Sequence, residues 1–317
     1  MPPSKRRCGL PPIGGARICS EAGGVRAVVL DERMTRSILL EAESVVLAQE
    51  AVINLKQHQE AMQTIIAETS RHARLIDVHT QVVGNLLFVR FEFNTGDAAG
   101  HNMSTLAADR LMEWILLRFR NLKYVSISGN YCSDKKVSAV NGILGRGRYV
   151  VAEVTLSRAL CEKQLRTTPE KIVQLNIRKN LIGNIIAGGL RTANAHFANM
   201  LLGFYLATGQ DAANIIEGSQ GMVHAEVREE GLYFSVTLPN LIMGTVGNGK
   251  TFDFVRENLK LLGCAEEREV GANARRLAVI AAGAVLSGEL SLLAAQTNPG
   301  ELVRAHLKLE RGRSTRV

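Results

Sequence analysis

The sequence predicts an α+β fold, and three observations along the chain support this class. The run Leu86–Phe93 is rich in aromatic and branched residues and alternates near its end, which is typical of a strand. Apolar residues recur along one side of a helix between Asn102 and Phe119. Residues 180–208 and 272–297 are long stretches of small and apolar residues, which suit closely packed helices. The larger part of the chain is therefore expected to be helical.

The order of these segments predicts an irregular start, a compact α+β unit and a helix-rich remainder. Residues 1–35 are rich in Gly and Pro and show no period. Residues 37–126 form the α+β unit, with a helix in the later part of 41–70. Further strands are expected at Tyr124–Ser128, Val223–Val227 and Leu232–Thr237. A length of 317 residues leaves room for two domains.

Composition excludes several classes of protein. Apolar residues make up 46% and charged residues 21%, which excludes a disordered tail, a collagen-like repeat and a disulfide-rich mini-protein. The five cysteines are odd in number and include no C-x-x-C pair, so reduced thiols in the cytoplasm are expected. The sequence contains no run of about 18 apolar residues, so no membrane span is expected. A net charge of +8 suits nucleic acid, an acidic membrane surface or a phosphorylated cofactor, and charge alone does not choose among them.

Two segments follow predicted strands and combine small with polar residues. Gly96–Met103 precedes a helix, whose first N–H groups would suit a diphosphate. The alternative is an ordinary strand-to-helix turn with Asn102 as the N-cap. Ser128–Lys136 ends in Asp134 and two lysines, which is either a solvated turn or a site that holds an ammonium for oxyanion stabilisation.

Polar residues also interrupt the apolar helical stretch. His196 and Asn199 are three residues apart and are expected on one helix face, either in a buried hydrogen-bond network or facing a substrate. Asp211 is expected at the end of this helix, where its carboxylate would need a cation such as Lys135. His306 stands in a basic helical segment near the end of the chain.

Taken together, the wording and order of these segments resemble the 3-hydroxy-3-methylglutaryl-coenzyme A (HMG-CoA) reductase family, class I, from about Gly15 to His306. The motifs that carry the resemblance are Gly-Asp-Ala-Ala-Gly-His-Asn-Met, Ser-Gly-Asn-Tyr-Cys-Ser-Asp-Lys-Lys, Gly145-Arg146-Gly147, Asn194-Ala195-His196, Ala207–Asp211, Gly283–Ser291 and Leu302–His306. The resemblance implies a mostly helical large domain for HMG-CoA, residues 1–36 and 127–317. It also implies an inserted ferredoxin-like domain for NADPH, residues 37–126, and a homodimer with active sites at the subunit interface.

Residue roles follow from the resemblance position by position. Lys135 matches the lysine that stabilises the oxyanion, Asp211 the aspartate that tunes it, and His306 the histidine that protonates the CoA thiolate. Residues matching the HMG-binding set and its hydrogen-bond network are Arg36, Ser128, Asp134, Lys136, Lys179 and Asn199. Residues matching the cofactor contacts are Ser70, Arg71, Asp97, Asn102 and Gly247. The resemblance implies no metal. The implied reaction reduces HMG-CoA to mevalonate and free coenzyme A in isoprenoid biosynthesis.

The sequence departs from the family pattern at its start. The family's catalytic Glu lies in an Ala-Thr-Thr-Glu-Gly motif, and residues 1–13 contain no match to it. We therefore expect a chain that is incomplete at its N-terminus. The alternative function is a non-catalytic member that binds CoA or a dinucleotide. Nucleic-acid binding rests on charge alone, because no recognition motif is present.

Overall fold

The computed structural model describes residues 12–70, 72–304 and 307. Within them it contains twelve α-helices and seven strands. The helices are α1 Pro12–Glu21, α2 Val45–Gln57, α3 Gln59–Thr69, α4 His101–Arg118, α5 Ala139–Leu144, α6 Arg158–Leu160, α7 Pro169–Leu175, α8 Asn184–Ile186, α9 Phe197–Ala207, α10 Ile215–Gly218, α11 Asp253–Leu261 and α12 Ala272–Gln296. The strands are β1 Arg26–Ala42, β2 Arg74–Val83, β3 Leu86–Asn94, β4 Leu122–Ser126, β5 Gly147–Ser157, β6 Met222–Arg228 and β7 Gly231–Leu241. This confirms the α+β class.

One long strand, β1, belongs to two antiparallel arrangements. Its first half, Arg26–Arg33, pairs with β5, which in turn pairs with β7 and β6. Its second half, Met34–Glu41, pairs with β3, and the end of the strand also pairs with β4. The strand order is β2-β3-β1-β5-β7-β6, with β4 beside β1. Both halves of the molecule are thus joined through 17 residues of continuous strand.

Each half has its own hydrophobic cluster. In the half formed by residues 37–126, β1 and β3 contribute fully buried Ile38, Leu40 and Phe91, and α4 packs Leu111 and Ile115 against them. This stripe on α4 has the spacing that predicted the helix.

The other cluster lies between the β5–β7–β6 sheet and α12. Val150, Val154 and Phe234 of the sheet pack with Leu277 and Leu286 of the helix. Helix α12 is long and apolar enough to cross a membrane by length and composition, but 72% of its most apolar window is buried inside the molecule. A helix at the centre of a folded core is buried in this way.

The structure corrects several predicted elements. The Gly- and Pro-rich start is not irregular throughout, since it holds α1 and the first half of β1. Residues 187–196 do not continue the helix predicted over 180–208, and strands β2 and β5 were not predicted. Helix α4 starts at His101 with Gly100 as its N-cap, so the expected cap at Asn102 is wrong. Gly100 has φ of 94°, which only glycine adopts readily.

Candidate active site

A cleft of about 530 Å³ opens where the two halves of β1 meet the loops at the ends of the strands. Its walls come from the start of α4, the turn before α5, the turn after α9 and the Gly-rich loop after β7. The lining residues are Arg36, Ala98, Ala99, Gly100, His101, Asn102, Met103, Asp134, Lys135, Gly209, Gln210, Asp211, Asn214, Ile242, Val246, Gly247, Asn248 and Lys250. Several residues predicted from motifs far apart in sequence therefore share one cleft.

An ion pair between Lys135 and Asp211 stands on the wall of this cleft. The Nζ atom of Lys135 lies 2.7 Å from Oδ2 of Asp211, and both side chains are about two-fifths exposed, at 40% and 43%. The hydrogen bond to Asp211 raises the pKa of Lys135. Burial opposes ionisation of Asp211, but the hydrogen bond from Lys135 lowers the pKa of this carboxyl. The pair therefore offers a protonated ammonium to whatever occupies the cleft.

Asp211 does not end a helix, contrary to expectation. Helix α9 ends at Ala207, and Asp211 instead caps the short 3-10 turn Ala212–Asn214 by accepting a 3.0 Å hydrogen bond from the N–H of Ala213. An aspartate at this kind of N-terminus is electrostatically favourable.

A buried network of charges lies behind the pair. Arg146 and Glu217 have no exposed surface, and their side chains approach to 2.6 Å. Another nitrogen of Arg146 lies 2.9 Å from Oδ1 of Asp134. Glu217 also accepts a 3.1 Å hydrogen bond from the backbone N–H of Lys135. The charged turn of the cleft is thus anchored from inside the protein.

Hydrogen bonds to backbone groups connect the loops of the cleft to each other. The side-chain amide of Gln210 donates to the carbonyl of Gly244 at 3.0 Å and accepts from its N–H at 2.9 Å. The N–H of Thr245 donates to the carbonyl of Asp97 at 2.8 Å. A Cβ at Gly244 would lie 2.4 Å from the backbone nitrogen of Ala99, so only glycine allows this approach. The Gly-rich loop is held in place by these contacts.

Two further cations face the cleft. Arg36 is half-buried, and its buried Nε has no hydrogen-bond partner among the described residues. The ammonium of Lys250 donates to the carbonyl of Gly209, and neither it nor Arg36 forms an ion pair within 4.0 Å in the described part of the chain. Burial lowers the pKa of Lys250 to about 8. Since Lys135 is balanced by Asp211, these two side chains give the cleft a positive surplus, which suits anionic ligands.

His101 is the first residue of α4 and also lines the cleft. Its Nε2 is buried without a hydrogen-bond partner in the described structure. Burial, reinforced by the nearby Arg146, lowers the pKa of His101. A neutral imidazole next to Lys135 and Asp211 adds a polar group without adding charge.

The other residues implied in HMG and cofactor binding take varied positions. Asn102 and Gly247 line the cleft, and Gly247 has φ of 98° with open space around its Cα. Ser128 and Lys136 do not line it; Ser128 Oγ lies 3.8 Å from Sγ of Cys132, and Lys136 donates to the carbonyl of Asp134. Ser70 accepts hydrogen bonds from the N–H groups of residues 72 and 73.

Asp97 points away from the cleft and holds the start of α12. Its two carboxylate oxygens accept hydrogen bonds from the N–H groups of Gly271 and Ala274, at 2.8 and 2.9 Å. Arg71 and His306, and the first eleven residues where the family's glutamate motif was sought, lie outside the described residues.

A second polar cluster surrounds Glu289 on α12. Nδ1 of His196 lies 2.7 Å from Oε2 of this fully buried carboxylate, so His196 belongs to a satisfied internal network. His196 is the N-cap of α9 rather than part of its face. Lys179 is half-buried and donates to Asn180, while Asn199 is exposed. This cluster does not line the cleft.

One group of side chains in the described residues has the composition of a metal site. Ligand atoms of Asp77, His79 and Glu92 lie within 4.8 Å of one another. However, Arg33 and Arg90 both form ion pairs with Glu92, and Arg90 and Glu92 are fully buried. The guanidinium groups already neutralise this carboxylate, so the group is better described as an ion-pair network.

Four important residues of the site were not predicted: His101, Arg146, Glu217 and Lys250. Arg146 stands in the Gly145-Arg146-Gly147 motif, but nothing in that motif shows that its guanidinium is buried. Lys250 directly follows the Gly-rich loop, where a cation would reach any ligand of that loop. No local pattern distinguishes Glu217 from a surface glutamate.

Comparisons with known proteins identify the family and the fold. Residues 13–311 match the family described as hydroxymethylglutaryl-coenzyme A reductase. A 3-hydroxy-3-methylglutaryl-coenzyme A reductase of Pyrococcus abyssi is 47% identical over 300 residues, covering 94% of this chain and 73% of the relative. One from Aeropyrum pernix is 44% identical, covering 94% and 71%. The NADPH-bound class II reductase of Streptococcus pneumoniae has a TM-score of 0.68 at 19% identity, covering 90% of this chain and 76% of that chain, which shows a shared fold.

Proposed function

Since the chain belongs to the hydroxymethylglutaryl-coenzyme A reductase family, we propose that it reduces HMG-CoA to mevalonate and free coenzyme A with NADPH. The observation that carries this proposal is the Lys135–Asp211 ion pair on the wall of the positively charged cleft. An ammonium fixed in this way is a hydrogen-bond donor for the oxygen of a thioester carbonyl.

The residues of the cleft fit a nicotinamide dinucleotide. Lys250 offers charge to phosphates, and the start of α4, where the N-cap Gly100 supplies no side-chain hydrogen bond, offers N–H groups. Gly247 leaves room for close approach. Asn102 lines the same wall. NADPH, when bound, would supply the hydride. Ser70 and Arg71 belong to the proposed cofactor-binding set by resemblance alone, as does Asp97.

Lys135 would stabilise the negative charge that develops on the carbonyl oxygen as hydride reaches the carbon. Asp211 keeps the ammonium protonated and aimed into the cleft, because their hydrogen bond favours the charged form of both groups. Arg36 is the cation placed to meet the carboxylate of the HMG group. The proposed role of His306 is to protonate the departing CoA thiolate.

We also propose a homodimer whose subunits share active sites. Lys179 and Asn199, which the family resemblance assigns to substrate, do not line the cleft of their own chain. The segment that follows Lys179 exposes Ile185 and Ile186 by 78% and 81%. A partner that covers this surface would bring a second set of polar residues to the cleft. The division into domains 1–36 with 127–317 and 37–126, and a cytoplasmic location, are part of the same proposal.

A second candidate function is binding of CoA or a dinucleotide without reduction. It is favoured by one observation, that the cleft combines the Lys135–Asp211 pair with two further cations, Arg36 and Lys250. Such a surface would bind a phosphorylated ligand whether or not hydride transfer follows.

The test compares the chain with its Lys135→Met variant, and uses Lys123→Met, which changes an exposed lysine of β4, as the matched control. NADPH oxidation is followed with HMG-CoA, and NADPH affinity is followed by fluorescence. We expect Lys135→Met to lower turnover by about 10²–10³-fold, the cost of one oxyanion donor, with little change in NADPH affinity. Near-normal turnover in this variant would refute the role of Lys135. Binding without turnover by the unaltered chain would support the second function.

A further inference from the structure

We propose that Glu217 is a positioning residue, which holds the backbone of Lys135 so that its ammonium meets Asp211. This inference rests on the proposed function for its catalytic meaning, although the geometry stands independently. Neither the sequence motifs nor the cleft lining includes Glu217. It acts from behind the cleft, so it is not a group that touches a ligand.

One oxygen of Glu217 collects three donors. Its Oε1 accepts from the N–H of Lys135 at 3.1 Å, from Arg146 at 2.6 Å and from the side-chain amide of Asn214 at 2.9 Å. The carboxylate is fully buried, so it needs these partners. A buried charge with three donors has a defined position, and the N–H of Lys135 shares that position.

Lys135 needs such a restraint because of its backbone conformation. Its φ is 54°, and Ser133 two residues earlier has φ of 47°. Residues with side chains avoid this left-handed region, so contacts outside the turn must maintain it. Arg146 restrains the neighbouring residue, because it pairs with Asp134 as well as with Glu217. The two consecutive residues are therefore fixed by one buried ion pair.

The segment 211–217 contacts both the side chain and the backbone of Lys135. Asp211, at its start, pairs with the ammonium, and Glu217, at its end, accepts from the backbone N–H. Asn214 lies between them and joins the two contacts, since its N–H donates to the carbonyl of Asp211 and its side chain donates to Glu217. The distance between ammonium and Asp211 thus depends on Glu217.

The experiment measures the pKa of Lys135 in the whole chain. Acetylation at increasing pH, read on the Lys135 peptide by mass spectrometry, gives the pH of half-reaction. The ionisable and charged groups around this lysine are Asp134, Asp211, Glu217, His101, Arg146, Arg36 and Lys250. Glu217→Ala should lower the half-reaction pH by about one unit, because the ammonium moves away from Asp211. Glu257→Ala, which removes the exposed partner of Lys260, is the control and should leave Lys135 unchanged.

A double-mutant cycle separates positioning from the direct charge of Glu217. In a chain that already carries Asp211→Asn, Glu217→Ala should change the pKa of Lys135 little further. The carboxylate that the ammonium is positioned to meet is already absent from that chain. Equal and additive shifts in the two backgrounds would overturn the proposal. So would a folded Glu217→Ala chain with the unaltered profile. If Glu217→Ala does not fold, Glu217→Gln replaces it, with a smaller shift expected in the same direction; an unaltered profile in that variant would also refute positioning.

Turnover distinguishes this inference from the proposed function. In a chain that reduces HMG-CoA, Glu217→Ala should lower kcat about tenfold or more and leave the KM for NADPH nearly unchanged. A chain without turnover that still shows the coupled pKa shift would retain the positioning and refute the reductase proposal. A chain that reduces HMG-CoA but shows no pKa shift of Lys135 in Glu217→Ala would support the reductase proposal and refute the positioning role of Glu217.

Discussion

Lys250 differs from Lys135 because its charge depends on pH near neutrality. The hydrogen bond to Asp211 raises the pKa of Lys135 and holds it protonated. Among the described residues, the ammonium of Lys250 donates only to the carbonyl of Gly209, and burial lowers its pKa to about 8. Anion binding in the cleft should therefore weaken as pH rises through this value.

The prediction at this scale is that Lys250→Met weakens NADPH binding about tenfold at pH 7. A hydrogen bond to a charged group contributes roughly 1.5–3 kcal/mol, and about 1.4 kcal/mol is a factor of ten. In the unaltered chain NADPH affinity should also fall between about pH 7.5 and 9, because the folded protein loses this proton there. A bound phosphate favours the ammonium, so the fall in affinity begins at the pKa of the free protein and continues to the higher pKa of the complex.

Fluorescence titration with NADPH at several pH values measures both effects. Lys260→Met is the control, because Lys260 is an exposed lysine paired with Glu257 on α11. The control should follow the unaltered chain at every pH. If Lys250→Met binds NADPH as tightly as the control, Lys250 does not contact the cofactor.

Residues of the cleft were predictable to the extent that their motifs follow predicted strands. Lys135 follows a strand, and its pairing with Asp211 was predicted, although from a helix end at Asp211 that the structure does not have. Arg146 and Glu217 were not predictable, because their importance comes from full burial and from each other. Burial of a charge is decided by the tertiary fold, which leaves no local pattern in the sequence.

At the scale of elements, the start of α12 depends on a residue from another part of the chain. Asp97 lies in the loop after β3, yet its carboxylate accepts from two N–H groups at the beginning of this 25-residue helix. Gly271, the N-cap residue, has no side chain to perform this role. The helix start is therefore stabilised by a negative charge placed against its free N–H groups.

We predict that Asp97→Ala lowers the free energy of unfolding by about 1–2 kcal/mol, the usual effect of losing an N-cap. Denaturation by urea, followed by circular dichroism, provides the measurement. Asp253→Ala is the matched control, because Asp253 is an exposed aspartate in the first turn of α11. A variant at Asp97 as stable as the control would show that the cap contributes nothing. NADPH affinity, measured in the same preparation, tests the role implied by the family resemblance.

The elements themselves were predictable where periodicity is strong. Helices α4 and α12 and strand β3 follow their patterns closely. Helix α1 at the start of the chain was not predictable, because Gly14 and Gly15 usually break a helix. Here they lie within α1, where a close contact with another helix requires small residues. A Cβ at Gly15 would lie 1.9 Å from the carbonyl oxygen of Ser287 on α12. Glycine here permits packing rather than a turn, and local rules do not distinguish the two uses.

At the scale of the whole molecule, the exposed apolar surface near residues 182–186 is where we expect the proposed homodimer to form. Ile182, Ile185 and Ile186 are 48%, 78% and 81% exposed on a short stretch of chain. Apolar residues grouped in this way mark interaction surfaces more often than isolated ones do. The surface adjoins Lys179, which the proposed function assigns to substrate.

We expect the purified chain to be a dimer at micromolar concentration and the double variant Ile185→Asp, Ile186→Asp to be monomeric. Placing a carboxylate in an apolar interface disfavours association strongly, because its desolvation is not compensated. Sedimentation equilibrium measures the mass of each. Leu261→Asp, which changes a leucine of α11 that is 85% exposed, should leave the mass unchanged. A monomeric unaltered chain, or a dimeric double variant, would refute this interface.

The continuity of β1 limits the ways in which the cleft opens. Two bodies joined by a flexible linker rotate freely about it, but a strand hydrogen-bonded to β5 in one half and to β3 in the other does not act as a swivel. Rotation would break ladders on both sides at once. The register of β1 is irregular against β5 between Val29 and Asp31 and against β4 between Leu39 and Leu40, and a strand bends at such bulges. We therefore expect access to the cleft to come from movement of its loops rather than from rotation of one half against the other.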